Sequence, residues 1–524
     1  MSESAPARSS GPASPAAFRA SAVVVLVRGD GAKREVFWVR RSEAVPYMPG
    51  FHAFVGGGVN AADAAFAGSM RPSGDSDALG ADGFDAESLR TLEACAIRET
   101  FEETGVLLGA EASPDRRALE AARGEVLAGG KPFDRAASER RWRFRSGTVR
   151  YIGRWTTPPF ATARFDSAFF LAQVPAGQTP SIVPGELASG EWIEAAVALA
   201  RWKRGEATFA APILHVLLEL ERAAEEEVDA FAPQVIERMR EAPRRAGEPV
   251  RRIELKWGIV LHPIRTRPLP PATHTNAYLV GERAMALIDP GSADPAELES
   301  LFGVIEALAA DGRTLACILA THDHPDHVAG VEAARARYRV PVLAHAASNL
   351  PADRRLAGGE LVPLASAERD WTLRAIHTPG HAPGHLCFHH AGTHSLFSGD
   401  HITGGTGTVI IDPPEGDMGD YIASLEKLLA EPIDTLFPGH GSPQGAAHRR
   451  IRGLIAHRLE REAKVLAALD DTPRAPAELV ERAYTDTPRE LWRYAERSLL
   501  AHLLKLERER RAVREGERWR RATA

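Results

Sequence analysis

Short apolar runs and stretches of helical period alternate along this chain, and the alternation changes character twice. Near the start, Ala22-Val23-Val24-Val25-Leu26-Val27 and Val36-Phe37-Trp38-Val39 are short and β-branched or aromatic, the composition of strands. Asp30-Gly31 between them is a turn signal, so the two are expected to pair. Gly56-Gly57-Gly58 opens a polar insertion, rich in Gly, Ser and Asp, that reaches about Asp85. A helix is predicted from about Ala86 to Thr104, ending at Gly105, where a left-handed cap usually sits. From about Ala224 to Glu248, apolar positions at helical spacing stand among dense charges until Ala242-Pro243 and Gly247-Glu248-Pro249 break the pattern. From Arg251 to about Gly445, strands such as Ala277-Tyr278-Leu279-Val280 and Met285-Ala286-Leu287-Ile288 alternate with helices such as Ala296 to Ala310. Beyond Ala446 the chain reads as helical and basic to its end.

These textures predict an α/β multidomain protein. A disordered tail is expected over residues 1–18, a first domain over 19–225 and a helical linker over 226–250. A layered α/β domain follows over 251–445, then a C-terminal domain with a basic helical tail over 446–524. The length of 524 residues, at roughly 150 per domain, agrees with this division. Composition narrows the class. With 44% hydrophobic and 26% charged residues, the chain is neither fully disordered nor fibrous. A formal charge of -6, from 64 basic and 70 acidic residues, excludes a globally basic nucleic-acid coat and leaves room for a local basic patch. Cys95, Cys317 and Cys387 are widely spaced and form no CxxC pair, so neither a disulfide framework nor a thiolate zinc site is expected, and a reducing cytoplasm is the natural location. No stretch approaches the ~20 apolar residues of a membrane span, so no membrane partner is expected.

Chemistry concentrates in the histidines. Thr321-His322-Asp323-His324-Pro325-Asp326-His327 follows the apolar strand Cys317-Ile318-Leu319-Ala320 and precedes a predicted helix. Imidazole nitrogen and carboxylate oxygen are the zinc ligands of choice where thiolate is absent. His322 and His324 can face one ion, and Asp326 and His327 a second. Further along, His381, Asp400 and His440 each follow an apolar stretch and sit in a glycine-bearing turn. Any one of the 19 histidines is most often a surface or satisfied core residue, but this ordered set is hard to obtain by accident.

Residues 251–445 resemble the metallo-β-lactamase superfamily, whose fold is an αββα sandwich with two metals at one edge. The resemblance implies two Zn²⁺: His322, His324 and His381 on the first, Asp326, His327 and His440 on the second, and Asp400 bridging both. Asp289, in Leu287-Ile288-Asp289-Pro290-Gly291, matches the early aspartate thought to brace the metal loop. Asp412 to Met418, Tyr421 to Leu425 and the entry His274-Thr275-Asn276 resemble the subgroup that holds the mitochondrial lactamase-like endoribonuclease, beside the glyoxalase II type. Residues from about 446 to 515 resemble its small winged-helix domain. Lys505, Arg508 and Arg511 are the candidate nucleic-acid contacts, although Glu507 and Glu509 interleave with them, a pattern that more often gives pairs within a helix.

A second motif stands in the first domain. Glu99, Glu102 and Glu103 fall at i, i+3 and i+4, hence on one helix face, and Arg98 can pair with Glu102. Clustered carboxylates of this kind suit Mg²⁺ or Mn²⁺ bridging to a diphosphate. Arg98-Glu99-Thr100-Phe101-Glu102-Glu103-Thr104-Gly105-Val106 resembles the second half of the Nudix box, and Gly56-Gly57-Gly58 its glycine entry. The resemblance, over about residues 20–225, implies a Nudix α/β/α sandwich of a subgroup that includes a coenzyme A diphosphatase. Its box is split by the insertion, and Arg90 stands where a glutamate belongs.

The function expected is therefore a bifunctional metal-dependent hydrolase of small molecules. Asp326, Glu99, Glu102 and Glu103 are its candidate catalytic groups, and a metal-bridging hydroxide would attack an ester, thioester or phosphodiester. The alternative is an endoribonuclease acting on single-stranded RNA, with the Nudix half as a nucleotide or coenzyme A sensor.

Overall fold

Strand Arg19–Arg28 is the axis of the first domain because its side chains serve two cores at once. Val24 and Leu26 face one side of the sheet, with Cys95 and Phe101 of the helix Ala86–Thr104. Val25 and Val27 face the other, with Trp202, Leu217 and Met239. The computed structural model describes residues 18–30, 34–72, 81–158, 161, 163–244, 253–270, 272–366, 370–405 and 407–522. The expected tail, residues 1–17, and the middle of the polar insertion, residues 73–80, lie outside them. The pairing of the first two apolar runs is antiparallel, Leu26 opposite Phe37. Phe165–Gln173 lies parallel to the axial strand on its other edge. The main path of this seven-stranded sheet is His52–Ala53, Glu35–Arg41, Arg19–Arg28, Phe165–Gln173, Arg150–Thr156. With helices on both faces, the layering is α/β/α.

Two elements here differ from the expectation. The insertion contains the helix Ala61–Ser69, closed at its start by a capping box between Asn60 and Asp63 and anchored by buried Phe66. The stretch read as a linker holds the helix Pro233–Arg244, whose Val235 and Met239 are fully buried in the second core. Its amphipathic spacing buries it, and dense charge on the outer face disguised that.

The second domain is two packed sheets between helices. A seven-stranded sheet runs from Arg354–Leu356 to Ile253–Lys256, and a five-stranded sheet from Leu361–Leu364 to Thr435–Pro438. Between them lies a core of Leu261, Tyr278, Leu319, Leu373, Phe388 and Phe437. The helix Pro295–Ala310 covers the outer face of the first sheet through Leu301 and Ile305. The helices Met418–Leu428 and Ala447–Ala468 cover the second. The last domain packs Ala447–Ala468, Pro476–Ala483 and Trp492–Arg508 around Val465, Leu479, Leu499 and Leu503. The expected basic helical tail is instead a hairpin, Ala512–Glu515 with Arg518–Arg521. Gly516 turns it at φ 64°, and alternation seats Trp519 in the core while its arginine neighbours face outward.

Candidate metal centre

The loop after strand Thr314–Leu319 carries the histidine cluster past the strand end and into the one-turn helix Pro325–Val328. That geometry aims His322 and His324 to one side and Asp326 and His327 to the other. His381 arrives from the turn after Trp371–His377, Asp400 from the end of Ser395–Gly399, and His440 from the end of Thr435–Pro438. The seven side chains converge in three overlapping groups: His322, His324 and His381; His322, His327 and Asp400; Asp326, His327 and His440. Within each group the ligand atoms lie within 4.8 Å of one another.

Distances between them have the scale of a coordination shell. His324 Nδ1 is 3.0 Å from His322 Nε2 and 3.1 Å from His381 Nε2. His327 Nε2 is 3.3 Å from His440 Nε2 and 3.3 Å from Asp400 Oδ1, and His440 Nε2 is 3.2 Å from Asp326 Oδ2. Ligands around a tetrahedral zinc stand about 3.3 Å apart.

The remote ring nitrogens show what these close approaches are for. His440 Nδ1 donates to the His274 carbonyl at 2.8 Å, and His381 Nδ1 to the Ile410 carbonyl at 3.2 Å. His327 Nδ1 donates to Asp289 at 2.8 Å, and His324 Nε2 stands 3.3 Å from Glu415 at ion-pair distance. Thr321 spends its own proton on Asp289, so its hydroxyl oxygen accepts from His322 Nδ1 at 3.0 Å. Carbonyls and carboxylates only accept, so four of the five imidazoles hold a proton on the outer nitrogen and leave the inner one as the group that faces the centre. Asp400 Oδ1 is buried without a hydrogen-bond partner among those nitrogens. Five ring nitrogens and two carboxylates turned toward one another fit divalent cations.

Taken by themselves, the groups divide electrostatically. Burial pushes the His381 imidazole down to about 4. Burial also opposes charge on Asp400, yet His440 and His327 hold its carboxyl well below the usual range. His440 is lifted to about 9 against its own burial, by Asp400 and by Asp326. The carboxylates demand positive charge at this point in the fold.

The glutamates of the first domain are arranged differently. Arg98 lies among them, donating to Glu99 at 2.6 Å and Glu102 at 3.1 Å, and Glu103 accepts from the Gly56 amide at 2.8 Å. Among the described residues, the three glutamates do not form a ligand group as tight as those of the histidines. Burial raises Glu99 to about 7 and Glu103 to about 8. A side chain at Gly57 would meet the Glu99 carboxylate at 2.5 Å, so that carboxylate would have to move aside. The carboxylate sought at position 90 comes from elsewhere. Arg90 is exposed on the helix surface, whereas Asp63 takes Arg98 in a bidentate pair at 2.7 and 2.9 Å. The spacing Asn60 to Asp63, a helix-capping pattern, was the available signal for it.

Lys505 pairs with Glu462 and Glu509, Arg511 with the same two acids, and Arg508 with Asp417. Each candidate nucleic-acid contact thus faces an acid of its own chain.

Comparisons with known proteins agree with this geometry. A model of the metallo-beta-lactamase superfamily matches residues 270–440, and one of the beta-lactamase associated winged helix domain matches residues 475–519. Lactamase-like protein notP of Aspergillus sp. (strain MF297-2) is 32% identical over 224 residues, 41% of this chain and 65% of that protein. Beta-lactamase-like protein 2 homolog of Drosophila melanogaster is 32% identical over 255 residues, 45% of this chain and 82% of that protein. The chain therefore spans just under two thirds of the first relative's length. A solved NUDIX hydrolase from Alicyclobacillus acidocaldarius is 30% identical, covering 40% of this chain and 96% of that one, with a TM-score of 0.35, too low to carry an argument.

Proposed function

Because this chain belongs to the metallo-β-lactamase superfamily, we propose that it is a dinuclear zinc hydrolase of small esters or thioesters, fused to a second, diphosphate-cleaving head. The observation that carries the first half is the convergence of five imidazoles and two carboxylates, with the outer nitrogens of four rings tied to acceptors behind them. His322, His324 and His381 would hold one zinc, Asp326, His327 and His440 the other, with Asp400 between them. Bound there, the pair supplies Lewis acidity and a water acidified to near neutral pH. The protein's part is to orient the imidazoles. Asp289 does so for His327 directly and for His322 through Thr321. Asp326, partly exposed, is the carboxylate able to take a proton at the open side. Phosphodiester cleavage of single-stranded RNA is the competing reading. The internal pairing of Lys505, Arg508 and Arg511 supports the small-substrate reading over it.

In the first head, Glu99, Glu102 and Glu103 would carry Mg²⁺ or Mn²⁺. Arg98, fixed by Asp63, sets the spacing of Glu99 and Glu102.

A crossed pair of variants tests both heads. In His324→Ala, bound zinc and ester or thioester hydrolysis should fall together, while cleavage of a nucleoside diphosphate panel persists. In Glu102→Gln, the diphosphate activity should vanish and zinc content stay at the parent value. Two zincs retained in His324→Ala would contradict the ligand set, and diphosphate turnover unchanged in Glu102→Gln would reject the carboxylate site.

A further inference from the structure

Two imidazoles of the centre are held from behind by one irregular segment, residues 407–417. Its Ile410 carbonyl accepts from His381 Nδ1 at 3.2 Å, and its Glu415 carboxylate stands 3.3 Å from His324 Nε2 at ion-pair distance. No strand or helix lies within the segment. What fixes it comes from the C-terminal helices. From Ala447–Ala468, Arg450 donates to the Gly407 carbonyl at 2.6 Å and buried Arg458 to that of Val409 at 2.5 Å. From Trp492–Arg508, Arg497 pairs with Asp412, and Arg508 holds Asp417 through two bonds of 2.6 and 2.8 Å.

We propose that the C-terminal domain is a clamp on the metal centre, with Arg497 and Arg508 as positioning residues that act through Asp412 and Asp417 on Glu415 and His324. The segment carries three acids within six residues, Asp412, Glu415 and Asp417. Left alone, they would repel one another. The two arginines engage the outer pair and leave the middle one for His324. Asp417 also accepts from the Asp420 amide at 3.0 Å, so the Arg508 contact is tied to the start of the helix Met418–Leu428. A guanidinium fork suits such two-point holding of a carboxylate better than lysine would.

The inference rests on the metal-centre reading. Its test is cobalt(II) titration of the full-length, metal-stripped chain, followed by the visible bands of the bound ion and by chelator competition. Arg497→Ala with Arg508→Ala should leave the circular dichroism of the stripped protein unchanged. The same pair should weaken cobalt binding by up to about 10-fold, the lower end of what losing a direct partner of a ligating histidine costs, because the arginines act one residue further out. Arg497→Asp should weaken it too, and Arg497→Asp with Asp412→Arg should restore it, which a general loss of stability would not do. Cobalt affinity and bands at parent values in the double alanine variant would overturn the clamp and leave the metal reading standing. A parent chain that takes up no cobalt, zinc or iron would overturn both. Arg497 is 43% exposed, so Arg497→Ala alone carries the test, with a smaller loss in the same direction, should the double variant not fold.

Discussion

Asp63 shows how much one side chain can carry. It is 1% exposed and grips a guanidinium that is itself only 7% exposed, and it caps its own helix by accepting from the Asn60 amide at 2.8 Å. Removing one partner of a buried ion pair leaves the other charge without compensation. Asp63→Ala should therefore destabilise the first domain by about 3 kcal/mol. Urea unfolding, read through diphosphate-head activity beside a global probe, measures this, and a change under about 0.5 kcal/mol would refute it. The carboxylate at this place was not legible as a partner of Arg98 because 35 residues and an insertion separate the two. The histidine ligands were legible because four of the seven fall within six residues, and each of the others marks a short turn at a strand end. The carbonyls of His274 and Ile410, which fix two of the rings, have no sequence signature, since every residue carries one.

At the scale of elements, the three-helix C-terminal unit is pinned by Glu462, whose side chain is 6% exposed. Burial would raise its carboxyl, but His502 and Lys505 win and hold it down to about 2. A carboxyl lowered on folding contributes stability above its unfolded value, near 4.3, and loses it as pH falls toward 2. The urea midpoint of this unit should then decline between about pH 5 and pH 3, and Glu462→Gln should start lower and flatten that decline. An unchanged slope in the variant would remove Glu462 from the account. The helix Ala86–Thr104 and its cap at Gly105, φ 77°, follow the expected spacing and glycine. The helix Pro233–Arg244 does so only in period, because whether an amphipathic helix spans open solvent or covers a sheet depends on what stands beside it.

Across the whole molecule, the two large domains are joined by more than chain connectivity. Phe51, from the first domain, is buried in the core between the two sheets of the second. The Gly445 amide donates to the Pro49 carbonyl at 2.9 Å, five residues past His440, and Trp202 and Phe209 both donate to the Leu255 carbonyl. Phe51→Ala should cost about 3–5 kcal/mol, and the loss should appear in the unfolding of the second domain. Zinc release on heating reports that domain alone, and an unmoved release curve would show the two heads to be thermally independent.

Local chemistry written into short segments was enough to determine the cluster of histidines and aspartates that converges, the carboxylate helix and the alternation of sheet and helix. Ligand type, capping and period act over a few residues, so neighbours in sequence suffice to express them. Only tertiary structure decided which acid answers Arg98, which carbonyls hold the ring protons outward, and that arginines of the last helices hold residues 407–417. Those are contacts between groups tens to more than a hundred residues apart, and pattern along the chain does not encode which of many equivalent donors and acceptors the fold will bring together.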